Sequence, residues 1–237
     1  MSVQQLLKQK ECEDLWEMSV EHPFVKQLVC GDLDHDKFRD YLIQDKLLCE
    51  TLRGFVCSVL ADCPDADDFE GLHKLIAELQ GYGHEAELFK DMFGKLQVSK
   101  GDMRPHPTTE AFSNFLWRVS TTGSLEDKLI VLYGVHGTYM DWACRAQERG
   151  AKPGHEAYSR WIEIHTPANL GRLVDWIKRR LDEILGANGQ RLTHHHMHLF
   201  KRTLQYEVMF WDSAYRPGSS VFPGEFGLQR SPAVSGQ

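Results

Sequence analysis

The chain has 237 residues, 42% hydrophobic and 26% charged, the balance of an ordinary globular protein. Its net charge of −7 and pI near 5.9 argue against nucleic acid or an anionic membrane as a partner. No run approaches the roughly 18 uninterrupted apolar residues of a membrane span. The opening stretch MSVQQLLKQKECEDLW reads as neither a signal peptide nor an acid-poor transit peptide. The six cysteines form no CxxC pair, so the expectation is a cytoplasmic protein with reduced thiols.

Residues 4–20 read as a first helix, with Leu6, Leu7, Leu15, Trp16 and Val20 as its apolar positions. His22-Pro23 ends it, because the residue before proline is pushed out of the helical region. A short segment from Phe24 to Val29 follows, and Gly31 closes it. Asp34 or Asp36 can cap a long helix over about 36–60, whose stripe is Phe38, Tyr41, Leu42, Leu48, Leu52, Phe55, Val56 and Val59. Residues 61–68 read as a loop. Residues 69–96 read as a helix kinked near 81–84, where Gly81 and Gly83 interrupt it.

After a loop over 97–109, a helix over 108–121 carries Phe112, Phe115, Leu116 and Val119. Ser124 caps a helix over 125–149, with Glu126 and Asp127 in its first turn. Helices over 155–165, 168–186 and 190–214 complete the pattern, with glycine turns at 150–154 and 186–189. The fold class is all-α: one helical bundle domain over 1–216, followed by a flexible tail over 217–237.

Three apolar stripes each carry a polar interruption. Asp45 sits mid-stripe on the 36–60 helix, and a carboxylate there is costly unless it is paired or lines a cavity. His136 lies on the stripe Leu125, Leu129, Leu132, His136, Tyr139, Ala143, beside Gly134 and Gly137. Each of those glycines costs roughly 1 kcal/mol relative to Ala, so they imply close approach of a helix or a ligand. Glu207 sits among Thr203, Leu204, Phe210 and Trp211 on the last helix. Each could be a satisfied core group. Together they suggest an aromatic-walled pocket with two carboxylates, suited to a flat, nitrogen-rich ligand. His194 and His198 offer an i,i+4 pair, but no ExxH motif accompanies them, and no metal site is expected. Cys49, one turn after Asp45, is either a pocket thiol or a small core residue.

These residues resemble the TenA family, the thiaminase II group of the haem-oxygenase-like fold. The resemblance rests on HPFVKQLVCGDL (22–33), FRDYLIQDKLL (38–48), WIEIH (161–165) and YEVMFWDSAY (206–215) and spans about residues 10–215. It implies a hydrolase acting on the bond between a pyrimidine methylene and an amine, in salvage of hydroxymethyl-pyrimidine from thiamin breakdown products. It implies that Asp45 binds the ring's amino group, that Glu207 protonates the leaving amine, and that Tyr139, Phe210 and Trp211 lie near the ring. Phe112 and His165 take the places of two pocket tyrosines, Leu48 that of another, and Val135 stands where one subfamily has a nucleophilic Cys. His136 stands where the Cys-lacking branch tends to have a Glu, and GHEAELFK (83–90) resembles that branch. Without the thiolate, a water activated by Glu207 or His136 has to attack. The expected partner is a small-molecule aminopyrimidine, with no cofactor, and the family implies a homo-oligomer, dimer or tetramer. The alternatives are a non-catalytic pyrimidine-binding or regulatory protein, and a different enzyme on the same fold.

Overall fold

A computed structural model describes residues 6–63, 68, 70, 72–73, 84–187 and 192–216. Among them are helices α1 (Lys10–Val20), α2 (Pro23–Cys30), α3 (His35–Asp62), α4 (His84–Lys95) and α5 (Pro107–Thr122). They continue with α6 (Leu125–Glu148), α7 (Glu156–Ile164), α8 (Pro167–Ala187) and α9 (His194–Tyr215). No strand occurs among the described residues. The tail from 217, the kink expected near Gly81 and Gly83, and the turn residues 188 and 189 lie outside them.

Caps decide most of the boundaries. The Asp34 carboxylate accepts from the backbone N–H of Asp36 and Lys37, so Asp34 is the cap of α3. Ser124 and Asp127 form a reciprocal capping box at α6. Thr193 and His196 do the same at α9, which therefore starts at His194 rather than near 190. The segment after His22 is itself a helix: Pro23 occupies its first position and His22 Nδ1 accepts from the Phe24 N–H. It ends at Gly31, whose φ of +84° is open to glycine. The first helix starts at Lys10 rather than residue 4, yet Leu6 ahead of it is fully buried.

The helices share one hydrophobic core. Helix α9 runs through its middle and packs on α1, α2, α3, α5 and α6. Helix α6 is buried nearly all round between Asp127 and Val135, wider than a single stripe, because α1, α8 and α9 cover different faces of it. The two glycines of α6 explain the close approach. A Cβ on Gly134 would lie 2.7 Å from Thr203 Cγ2 on α9, and one on Gly137 would lie 2.8 Å from Trp16 Cη2 on α1. They serve helix packing.

Candidate active site

The site starts on α3. Tyr41, Asp45 and Cys49 are four residues apart, so they stack on one face of the helix. Tyr41 is fully buried and Asp45 is 6% exposed. The Cys49 thiol, half-buried, donates to Asp45 Oδ2 at 3.8 Å.

Helices α6 and α9 close the other side. The hydroxyls of Tyr139 and Tyr41 share a hydrogen bond of 2.9 Å. Trp211 stacks on both rings, at 5.0 Å from Tyr41 and 5.3 Å from Tyr139. Phe210 meets Tyr41 edge-on at 5.9 Å. One turn before Trp211, Glu207 is 1% exposed, and its Oε1 is buried with no hydrogen-bond partner. Burial, and after it the charge of Asp45, pushes the Glu207 carboxyl well above the ordinary carboxylate range. The two carboxylates are therefore near neighbours, and burial and the charge of Asp45 both favour the protonated form of Glu207. Tyr139 is also raised, by burial first, then by Asp45 and Glu207, so its phenol keeps its proton. Burial and then Asp45 do the same for Tyr41.

Two histidines flank this centre. His165 Nδ1 donates to the Trp161 carbonyl at 2.7 Å, which leaves Nε2 as an acceptor. Its ring lies against Tyr139, Trp142 and Trp161 at 4.9, 5.6 and 4.7 Å. Burial lowers it to about 4, and the neighbouring His136 adds to the effect. Burial alone lowers His136 to about 4. Both are neutral imidazoles at physiological pH. His136 Nε2 is buried without a partner, although the residue keeps part of its surface open.

Of the residues singled out by sequence, Asp45, Glu207, Tyr139, Phe210 and Trp211 come together in one cluster. His136 and His165 pair at its edge. Phe112 is one ring further out, fully buried and stacked on Tyr206 at 5.0 Å, and it meets Phe210 of the cluster edge-on at 6.5 Å. Val135 and Leu48, each 7% exposed, belong to the hydrophobic core. His194 and His198 open α9 far along the helix from Glu207. Beside them, His195 Nε2 lies 3.1 Å from Asp127. Sequence reasoning missed Tyr41, Trp142 and Trp161 as site residues. Tyr41 had a usable signal, since it stands one turn before Asp45 on the same face.

A groove of about 230 Å³ lies on the far side of Trp142, lined by Val25, Lys26, Arg145 and Arg149 among others. The Arg145 guanidinium is engaged by Glu17, Glu21 and Asp141, so the groove offers little free charge.

Helical bundles build small-molecule sites in their cores from side chains on facing helices, and a buried carboxylate pair between aromatic walls is a candidate for such a site. The chain matches the TENA/THI-4/PQQC family over residues 9–217 and belongs to that family. It is 25% identical over 220 residues to an aminopyrimidine aminohydrolase of Helicobacter pylori, covering 91% of this chain and all of that protein. It is 25% identical over 205 residues to the Bacillus subtilis aminopyrimidine aminohydrolase, covering 85% of each. Among solved structures, the TenA homologue of P. horikoshii OT3 superposes with a TM-score of 0.76 at 20% identity, covering 91% of this chain and 99% of that one. The fold is the haem-oxygenase-like helical bundle.

Proposed function

We propose that the protein is an aminopyrimidine aminohydrolase, which releases hydroxymethyl-pyrimidine from amino-pyrimidine breakdown products of thiamin. One observation carries this reading: Glu207, buried beside Asp45, holds a proton and presents an unpartnered oxygen. Asp45 accepts a hydrogen bond from the exocyclic amine of the ring. Tyr41, Tyr139 and Trp211 supply a flat wall, and neutral His136 offers its unpartnered nitrogen to the substrate or to a water.

In the reaction the bond between the methylene carbon and nitrogen breaks, and Glu207 gives its proton to the departing amine. Water oxygen bonds to the methylene carbon, and the proton that water loses returns to the Glu207 carboxylate. The products are the hydroxymethyl-pyrimidine and a free amine, and the acid is regenerated. Val135 carries no nucleophilic group, so water is the attacking species in this scheme.

The test is a product assay with purified protein and three compounds: thiamin, aminomethyl-pyrimidine and its formylated form. Release of hydroxymethyl-pyrimidine from the amino or formylamino compound, lost in Glu207→Gln with binding retained, supports the reading. Tight pyrimidine binding without product from any of the three replaces it with a binding protein. The family resemblance also supports a cytoplasmic homo-oligomer, dimer or tetramer, and the exposed Trp117 and Met18 offer apolar surface for self-association. Light scattering reads that oligomer directly.

A further inference from the structure

We propose that the Tyr139 hydroxyl donates a hydrogen bond to a ring nitrogen of the substrate, and that Tyr41 is the positioning residue that aims it. The inference rests on the aminopyrimidine reading and goes beyond it, because the hydrolytic scheme uses both tyrosines only as flat walls. The two hydroxyls lie 2.9 Å apart and join α3 to α6. Among the described residues, neither hydroxyl has another hydrogen-bond partner. Distance alone allows either to donate, and burial decides which one does. Tyr41 is fully buried, its ring enclosed by Phe24, Trp211, Trp161 and Phe210 at 4.9, 5.0, 5.6 and 5.9 Å. A buried O–H without an acceptor is costly, and solvent does not reach this one. Tyr41 therefore donates, and Tyr139 accepts.

A phenol carries one proton, and that of Tyr139 is not spent on Tyr41. Tyr139 keeps 7% of its surface open, so a ligand can reach it. Burial, then Asp45 and Glu207, hold the proton on its oxygen, so it remains a donor at neutral pH. A second observation points to a ligand at the same place. Glu207, whose charge acts on Tyr139, is 1% exposed with its Oε1 unpartnered. Buried polar groups are matched as a rule, so an unmatched acid oxygen and an unmatched phenol proton in one cluster call for a polar guest. The acceptors shared by the amino, formylamino and hydroxymethyl compounds are the two ring nitrogens, since the exocyclic amine has its lone pair drawn into the ring. The bond from Tyr41 holds the Tyr139 oxygen in place and polarises its O–H, which strengthens the bond it gives.

The experiment measures equilibrium binding of two ligands: hydroxymethyl-pyrimidine, and the aminobenzyl alcohol of the same shape with CH in place of both ring nitrogens. The readout is the Kd of the alcohol divided by that of the pyrimidine, in the wild type, Tyr139→Phe and Tyr41→Phe. A substitution that only loosens the fold weakens both ligands alike and leaves this ratio where it was. Tyr139→Phe is expected to shrink the ratio about three- to tenfold, the loss of one neutral hydrogen bond. Tyr41→Phe is expected to shrink it about twofold, because the donor remains but is no longer aimed or polarised. An unchanged ratio in Tyr139→Phe overturns the proposal and leaves the hydrolase reading standing. A ratio that shrinks in Tyr139→Phe but not in Tyr41→Phe overturns the positioning role of Tyr41. A wild type that does not bind the pyrimidine removes the underlying reading, and the proposal with it. Thermal melts without ligand test the direction of the tyrosine pair separately. Tyr139→Phe strands the buried Tyr41 proton, whereas Tyr41→Phe strands none, so Tyr139→Phe is expected to melt about 2–6 °C below Tyr41→Phe. Equal melting, or the reverse order, overturns the proposal.

Discussion

In the proposed scheme Asp45 and Glu207 take different roles because their surroundings differ. Asp45 has a donor on one oxygen, while Glu207 has burial and a negative neighbour acting against its ionised form. The charge of Asp45 raises Glu207, so removing that charge must lower it. Asp45→Asn is therefore expected to do two things at once. It should raise KM about 10- to 100-fold by losing a charge-assisted hydrogen bond to the ring amine. It should also move the alkaline limb of kcat to lower pH, because the acid then loses its proton earlier. A pH–rate profile of wild type and variant checks both, and an unmoved limb would detach Glu207 from the acid role.

Glu207 also leaves a mark on stability. Its folded-state carboxyl sits above its unfolded value, so its contribution is full below the unfolded value near 4.5 and is lost as pH rises through the folded one. Glu207→Gln keeps the shape and removes the ionisation. The variant is expected to melt higher than the wild type at pH 8 to 9, with the gap closing toward pH 4.5. Thermal melts across that range decide it.

At the level of elements, the contact between α6 and α9 holds Tyr139 beside Trp211 and Glu207. Gly134 sets its spacing: a methyl there would come 2.7 Å from Cγ2 of Thr203, a β-branched, fully buried side chain with no room to turn aside. Gly134→Ala gains about 1 kcal/mol of helix propensity but loses about 1–3 kcal/mol to overpacking. The net expectation is a lower melting temperature, together with reduced turnover as the carboxylates move apart. The helices themselves were largely legible from apolar spacing and caps, as Asp34 and Ser124 illustrate. The eight-residue α2 was not, because it is too short to display a period and its proline reads as a stop when it is in fact a start.

Across the whole molecule, the legible part of the site was the set of groups whose cost betrays them. A carboxylate on a core stripe demands an explanation wherever it occurs, which is why Asp45 and Glu207 stood out. Tyr41 did not, since a tyrosine on such a stripe is ordinary core, and its hydroxyl finds a partner 98 residues away only once α3 and α6 meet. Trp142 and Trp161 stayed hidden for the same reason. The buried histidines, by contrast, affect the stability of the entire chain. His136 and His165 are lowered to about 4, so between pH 6.5 and 4 the unfolded chain binds protons that the native rings refuse. Stability falls on acidification through that window, by up to about 3 kcal/mol for each ring. His165→Gln is expected to make the acid limb of a denaturation-versus-pH curve shallower, by up to about 3 kcal/mol.

The aromatic wall gives the site an optical signature. Three of the six tryptophans, Trp142, Trp161 and Trp211, surround Tyr139 and His165, whereas Trp117 lies 63% exposed on the surface. Buried indoles emit toward the blue and an exposed indole toward the red. A pyrimidine entering between Trp211 and the carboxylates is therefore expected to quench the blue part of the emission and leave the red shoulder unchanged. The protein carries its own titration dye, and occupancy of the site can be followed in the unmodified chain before any product forms.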